Sequence, residues 1–203
     1  MGEVLYSQGS LELVAPDGGT HSIDLHWRIN NSEVLAQLFD FEELYTRSRD
    51  LPKLSSHSKA VSSIDAMLIA CMHCSVHEQS PYYVDGQKYQ SGDRSIWLYD
   101  IALIQQGYSN SEWEEFSVLV RQKGLPRSSL KALQHSKAMF GVSAPLYVEK
   151  SLSNCANSAV DRYLAVGATT RDWMNFCAQS GFTRRALHVK DCLLYTSPSP
   201  RDS

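Results

Sequence analysis

Ser22-Ile23-Asp24-Leu25-His26-Trp27-Arg28-Ile29 alternates polar and apolar residues over eight positions. A period of two belongs to a half-buried strand, so Ile23, Leu25, Trp27 and Ile29 share one face and Asp24, His26 and Arg28 the other. Just ahead stands Pro16-Asp17-Gly18-Gly19. Proline presets φ and glycine accepts positive φ, which makes this tetrapeptide a turn. Two apolar-rich runs, residues 3–7 and 11–15, precede it. Residues 3–29 are therefore expected to form an antiparallel hairpin or meander. A piece this small, with one polar face and open edges, makes a poor sheet by itself.

Past residue 30 the period becomes helical. Ser32 is placed to cap a helix reaching about Tyr45. Ser62 and Asp65 open another, with Ile64, Met67, Leu68 and Cys71 at i, i+3, i+4 and i+7. Residues 78–93 read as a polar loop, and 94–106 as a helix. Ser111 with Glu114 has the spacing of a capping box, and Trp113, Phe116 and Val120 form the inner stripe of the helix that follows. Gly124 ends that helix, and Pro126 sits at the first position of the next, which runs to about Phe140. Residues 145–164 and 170–180 complete the series. Strands first and helices after define an α+β class: N-terminal antiparallel strands followed by a mainly helical C-terminal half.

Composition narrows the function classes. Of 203 residues, 43% are hydrophobic and 20% charged, and the net charge is −3. That is an ordinary globular balance with no basic excess to draw the chain to nucleic acid in general. No apolar run approaches the roughly 18 residues of a membrane span. Five irregularly spaced cysteines read as free thiols, giving the expectation of a cytoplasmic protein. The last stretch, from Cys192 to Asp202, has two prolines in three residues and no structural period. It resembles the translation of a transposase-type sequencing adapter, and is set aside from fold reasoning. The expected organisation is a partial sheet over 1–30, a helical region over 31–191, and a disordered non-native tail over 192–203.

Three constellations could carry chemistry. Asp24, flanked on its strand face by His26 and Arg28, is placed to act as a metal ligand or general base. The plainer reading is a solvated strand face with i, i+2 charge pairing. His73 and His77, at i, i+4, share one side of a helix as zinc-binding histidines do. Spacing fixes no third ligand, and Cys71 and Cys74 form a lone C-x-x-C without the second pair of a structural zinc site. Hydrogen-bonded histidines near a helix end are the plainer reading here. Asp100 falls inside an apolar helix among Trp97, Leu98, Ile101 and Ile104. Buried there, it would need a cation such as Arg94 or the helical histidines, which gives an internal ion pair as the structural alternative to catalysis.

Taken in order, Ile23-Asp24-Leu25-His26-Trp27-Arg28, then Ala70-Cys71-Met72-His73 with His77, then Arg94-x-x-Trp97-Leu98-Tyr99-Asp100-Ile101 resemble the uncharacterised bacterial nucleotidyltransferase family proteins of the DNA polymerase beta-like superfamily. The resemblance covers roughly residues 15–190. It implies a mixed sheet flanked by helices and transfer of a nucleotidyl group from an NTP, with Mg²⁺, to an acceptor hydroxyl that the sequence does not name. It also implies a Gly-Ser turn for the phosphates, an Asp-x-Asp strand pair and a third carboxylate on a later strand. Asp24 matches the third carboxylate and so the metal position. His26 and Arg28 would flank the acceptor, while His73, His77, Arg94 and Asp100 belong to the helical half as supporting residues.

The chain departs from that pattern in two respects, of which the loop over 78–93, long for many relatives, is the lesser. No Gly-Ser followed by Asp-x-Asp precedes Asp24: Gly9-Ser10 is present, but the next acids, Asp17 and Asp24, are seven apart and split by the turn. The expectation is a C-terminal portion of such an enzyme, truncated at both ends. As such it would be inactive alone, would bind neither Mg²⁺ nor NTP tightly, and would expose an apolar patch where further strands pack. The alternative is a helical binding or interaction module on a degenerate nucleotidyltransferase core, and a weaker third is a zinc site at His73 and His77.

Overall fold

The turn at 16–19 organises the first pair of elements. In the computed structural model the described residues are 8–78, 82–84, 87–89 and 95–178. Strand β1 (Gln8–Val14) pairs antiparallel with β2 (Thr20–His26), from Val14↔Thr20 to Gln8↔His26. Between them Gly18 takes φ 84°, a region that L side chains avoid. Asp17 Oδ1 accepts from Gly19 N at 3.0 Å, and Ala15 N donates to the Gly19 carbonyl at 2.7 Å. The pleat then places Leu11, Leu13, Ile23 and Leu25 on one face and Ser10, Glu12, Asp24 and His26 on the other. All four apolar residues are at least 54% exposed, so the expected uncovered patch is present. β2 stops three residues short of Ile29, and the run at 3–7 lies outside the described residues.

Ser32 caps α1 (Glu33–Ala36), its Oγ accepting from Leu35 N. The same hydroxyl donates to Asn175 Oδ1 at 2.8 Å. The helix expected to run to Tyr45 is two: α2 spans Phe41–Thr46. The chain leaves helical geometry after Ala36, where Leu38 N bonds back to the Leu35 carbonyl at 3.0 Å and closes a tight last turn. Next come a small ribbon, β3 (Arg49–Asp50) with β4 (Lys59–Ala60), and the long helix α3 (Ser63–His77). The region read as a loop contains a second ribbon, β5 (Tyr82–Val84) with β6 (Gln87–Tyr89). Helices α4 (Ser95–Gln106), α5 (Asn110–Gln122), α6 (Pro126–Phe140), α7 (Leu146–Ser153), α8 (Ala159–Ala165) and α9 (Ala168–Ala178) follow.

The chain divides into two units, residues 1–41 with 172–203, and residues 42–171. In the second, α3 packs on α4, α5, α6 and α8, while α4 and α7 also pack on α6. Its predicted stripe of Ile64, Met67, Leu68 and Cys71 is buried, as are Trp113, Phe116 and Val120 of α5. Ser109 with Glu112, not Ser111 with Glu114, makes the capping box of α5. Both pairs have the right spacing. Starting at Ser109 puts Tyr108 against Trp113 at 5.0 Å, a hydrophobic staple that the later start would forgo. The backbone N–H and hydroxyl of Ser109 hold the Glu112 carboxyl below its ordinary range. The single segment expected over 145–164 is α7 and α8, because Ser158 caps α8 by accepting from Asp161 N at 2.9 Å. Its hydroxyl also bonds the carbonyl of Gly124, where φ is 70° and α5 ends.

An ion-pair chain ties α2 to α3 and to the end of α5. Arg47 grips Asp65 with Nε at 2.9 Å and Nη2 at 2.6 Å, and reaches Glu43 at 3.1 Å. Lys123 holds the other Glu43 oxygen at 2.6 Å. Burial raises the Glu43 carboxyl, but Lys123 and Arg47 more than offset it, so the net direction is down. A carboxyl lowered in the folded state contributes stability that is present above its unfolded value and lost as pH falls through its folded value. With Glu43 and Glu112 both lowered from 4.5, the urea midpoint should hold between pH 7 and 5 and fall below about pH 4.5. Glu43→Gln should flatten that fall. An equal acid slope in the variant would remove Glu43 from the account.

The architecture is α+β, with antiparallel strands first and a helical remainder. Among the described residues no helix is long and apolar enough to cross a membrane.

Candidate functional site

The hairpin holds the first group of predicted residues. Asp24 lies on the polar face of β2, exposed, and Ser10 directly opposite donates its hydroxyl to Asp24 Oδ1 at 2.6 Å. His26, two residues on, ends the strand on the same face. Arg28 does not join them: β2 has ended, and its guanidinium bonds Glu33 Oε2 at 3.0 Å. Alternation therefore carries Asp24 and His26 together but not Arg28. In the sequence Ser10 counts only as part of Gly9-Ser10 and not as a partner of Asp24, although the turn that sets the register also sets Ser10 across from Asp24.

A strand-held carboxylate steadied by a hydroxyl is a hard oxygen donor of the kind Mg²⁺ takes. It is one ligand. Among the described residues no group of three or more His, Cys, Asp or Glu side chains gathers that could hold a metal. The same holds for His73 and His77, which stand side by side with ring centroids 4.4 Å apart and no third described ligand. Cys71 and Cys74 are both buried, and burial pushes the Cys71 thiol upward, away from the thiolate that binds metal or reacts.

The helical half gathers its own group. His73 meets Trp97 edge-on at 4.8 Å, and His77 meets it at 5.2 Å, so one aromatic cluster joins α3 to α4. Asp100, three residues after Trp97, is exposed rather than enclosed, which overturns the internal ion pair expected from its apolar neighbours. The core of α4 is carried by Leu98, Ile101 and Ala102, while Trp97 and Ile104 stand half-buried beside Asp100. This face and that of α3 border a groove of about 530 Å³ that takes in His73, Trp97 and Asp100. Arg94 lies outside the described residues.

An antiparallel hairpin presenting a carboxylate, followed by a helical half with its own aromatic cluster, is the arrangement to set beside known families. Residues 3–141 match the family model described as uncharacterised nucleotidyltransferase. The chain belongs to that family. No curated protein and no solved structure matches it.

Proposed function

We propose that this chain is the C-terminal portion of a metal-dependent nucleotidyltransferase that moves a nucleotidyl group from an NTP to an acceptor hydroxyl. The observation that carries the reading is Asp24: an exposed carboxylate on a paired strand, hydrogen-bonded by Ser10, in a chain of nucleotidyltransferase family membership. The strand fixes the Cα, and the 2.6 Å bond restrains the side chain without neutralising it. Asp24 would be one carboxylate toward Mg²⁺, with His26 beside it on the acceptor side and Arg28, tied to Glu33, outside that face. When bound, Mg²⁺ supplies neutralisation of phosphate charge and activation of the attacking hydroxyl.

The 203 residues contain no Gly-Ser with a following Asp-x-Asp, so turnover needs a polypeptide that supplies those groups as well. The reading accordingly has this chain alone inactive and without tight NTP or Mg²⁺ binding. Cys71 and Cys155 are free thiols, which suits the reducing cytoplasm that the reading assigns. His73, His77, Arg94 and Asp100 take supporting parts in the helical half.

The test uses the full coding sequence at the locus, assayed for transfer of label from NTP with and without Mg²⁺. Asp24→Asn should reduce metal-dependent transfer to background with the melting temperature unchanged. Ser10→Ala should give a smaller loss. Undiminished transfer in Asp24→Asn would sink the assignment. A helical binding module is the second reading, favoured by a unit over 42–171 with its own core. It predicts no NTP affinity in the full-length protein.

A further inference from the structure

The groove between α3 and α4 exists because of where small residues fall. Ala66 and Ala70, at i and i+4, present methyl groups where a larger side chain would fill the space between the helices. Ile69 and Ile104 supply apolar wall, and the paired rings of His73 and Trp97 line the groove with them. At the lip sits Asp100, which takes part in no ion pair with any described residue. Among the described residues no lysine or arginine lines the hollow.

We propose that this groove binds a small organic cation: an ammonium group carried on an aromatic or aliphatic body. The apolar floor and the space of about 530 Å³ suit the body, since ligand sites are mostly apolar hollows with a few placed polar groups. The ammonium is directed by two features one helical turn apart on α4. Trp97 supplies an indole, the strongest ring for a cation, and its T-shaped contact with His73 at 4.8 Å helps to set its plane. Asp100 adds a full negative charge at the mouth. A phosphate or carboxylate ligand would meet that charge with no lysine or arginine among the described lining residues to offset it, and a neutral ligand would leave it unused. The proposal stands whether or not the protein transfers nucleotidyl groups, since it concerns binding alone.

Titration of the 203-residue chain with 2-phenylethylammonium, followed by calorimetry and by the Trp97 indole N–H signal in NMR, tests it. The 2-phenylethanol isostere, which has the same body without charge, and adenosine are run beside it. Saturable binding of the cation is expected, weaker for the alcohol. Raising salt should weaken only the cation, because the pair is screened. Asp100→Asn, at an exposed position, should weaken the cation about tenfold and leave the alcohol unchanged. Ala70→Leu should exclude both by filling the floor. Failure of the cation to bind, tighter binding of adenosine, or equal cation affinity in wild type and Asp100→Asn each overturns the proposal. Circular dichroism of both variants establishes that they are folded.

Discussion

Asp161→Ala should destabilise the protein by about 3–4 kcal/mol, the sum of a few stranded buried polar groups at about 1–3 kcal/mol each. Helix α6 begins at Pro126, with Leu125 at the cap position and no side-chain cap of its own. Its first free N–H groups are instead met by a carboxylate from α8. Asp161 Oδ2 accepts from Arg127 N at 3.0 Å, and Oδ1 from Ser128 N at 2.9 Å and Ser128 Oγ at 2.6 Å. Asp161 and Ser128 are both buried, so water cannot replace the lost acceptor. A negative charge at this end also opposes the positive end of the helix dipole. Asn keeps one acceptor oxygen and drops the charge, so Asp161→Asn should lose roughly half as much. Urea unfolding of both variants measures it. A loss under about 1 kcal/mol in the alanine variant would mean that the α6 terminus finds other acceptors.

Asp65→Ala is the second large effect, expected near about 3 kcal/mol, the lower end for breaking a buried pair. Asp65 is fully buried and Arg47 is 29% exposed. The fork of Arg47 fits both Asp65 oxygens, and Asp65 Oδ2 also accepts from Ser62 Oγ at 2.7 Å at the start of α3. Removing Asp65 leaves a guanidinium whose remaining partner is Glu43, and partial solvent contact keeps the loss below the extreme. Arg47→Met alone strands a carboxylate with no exposure at all, so it should cost at least as much. The double variant Asp65→Leu with Arg47→Met removes both charges and should cost less than either single change. A double-mutant cycle in urea reads the coupling directly. Additive losses would show that the two side chains act independently and that the fork contributes nothing.

Neither aspartate was marked as important by its local sequence. Asp65 reads as a first-turn acidic residue beside Ser62, which it is, but its burial comes from Arg47, eighteen positions away. Asp161 falls inside the single segment expected over 145–164, and its partners are 33 and 34 positions back. Nothing in the neighbouring residues signals a cap delivered to another helix. Trp97 and Asp100 show the opposite error. Their helix was read correctly from its period, but the period does not say which neighbour leaves a face open. The two alanines of α3 leave it open, and so Asp100 came out exposed beside a groove instead of enclosed in the core.

What the residues by themselves determined is short-range. Pro16 to Gly19 set the turn, the turn set the register, and register with alternation put Asp24 and His26 on one face. Stripes at helical spacing located α3 and α5, and Gly124 and Pro126 marked where one helix stops and the next starts. These follow from backbone sterics and side-chain spacing within a few residues, which any neighbourhood of the chain carries complete. Only the tertiary structure decided between two capping boxes, broke two expected helices, released Arg28 to Glu33 and opened the α3–α4 groove. Each of those outcomes is a competition between nearly equal local choices. In the groove the choice was tipped by alanines on another helix, whereas the capping box and the start of α8 were tipped by close neighbours, Tyr108 against Trp113 and Ser158 with Asp161.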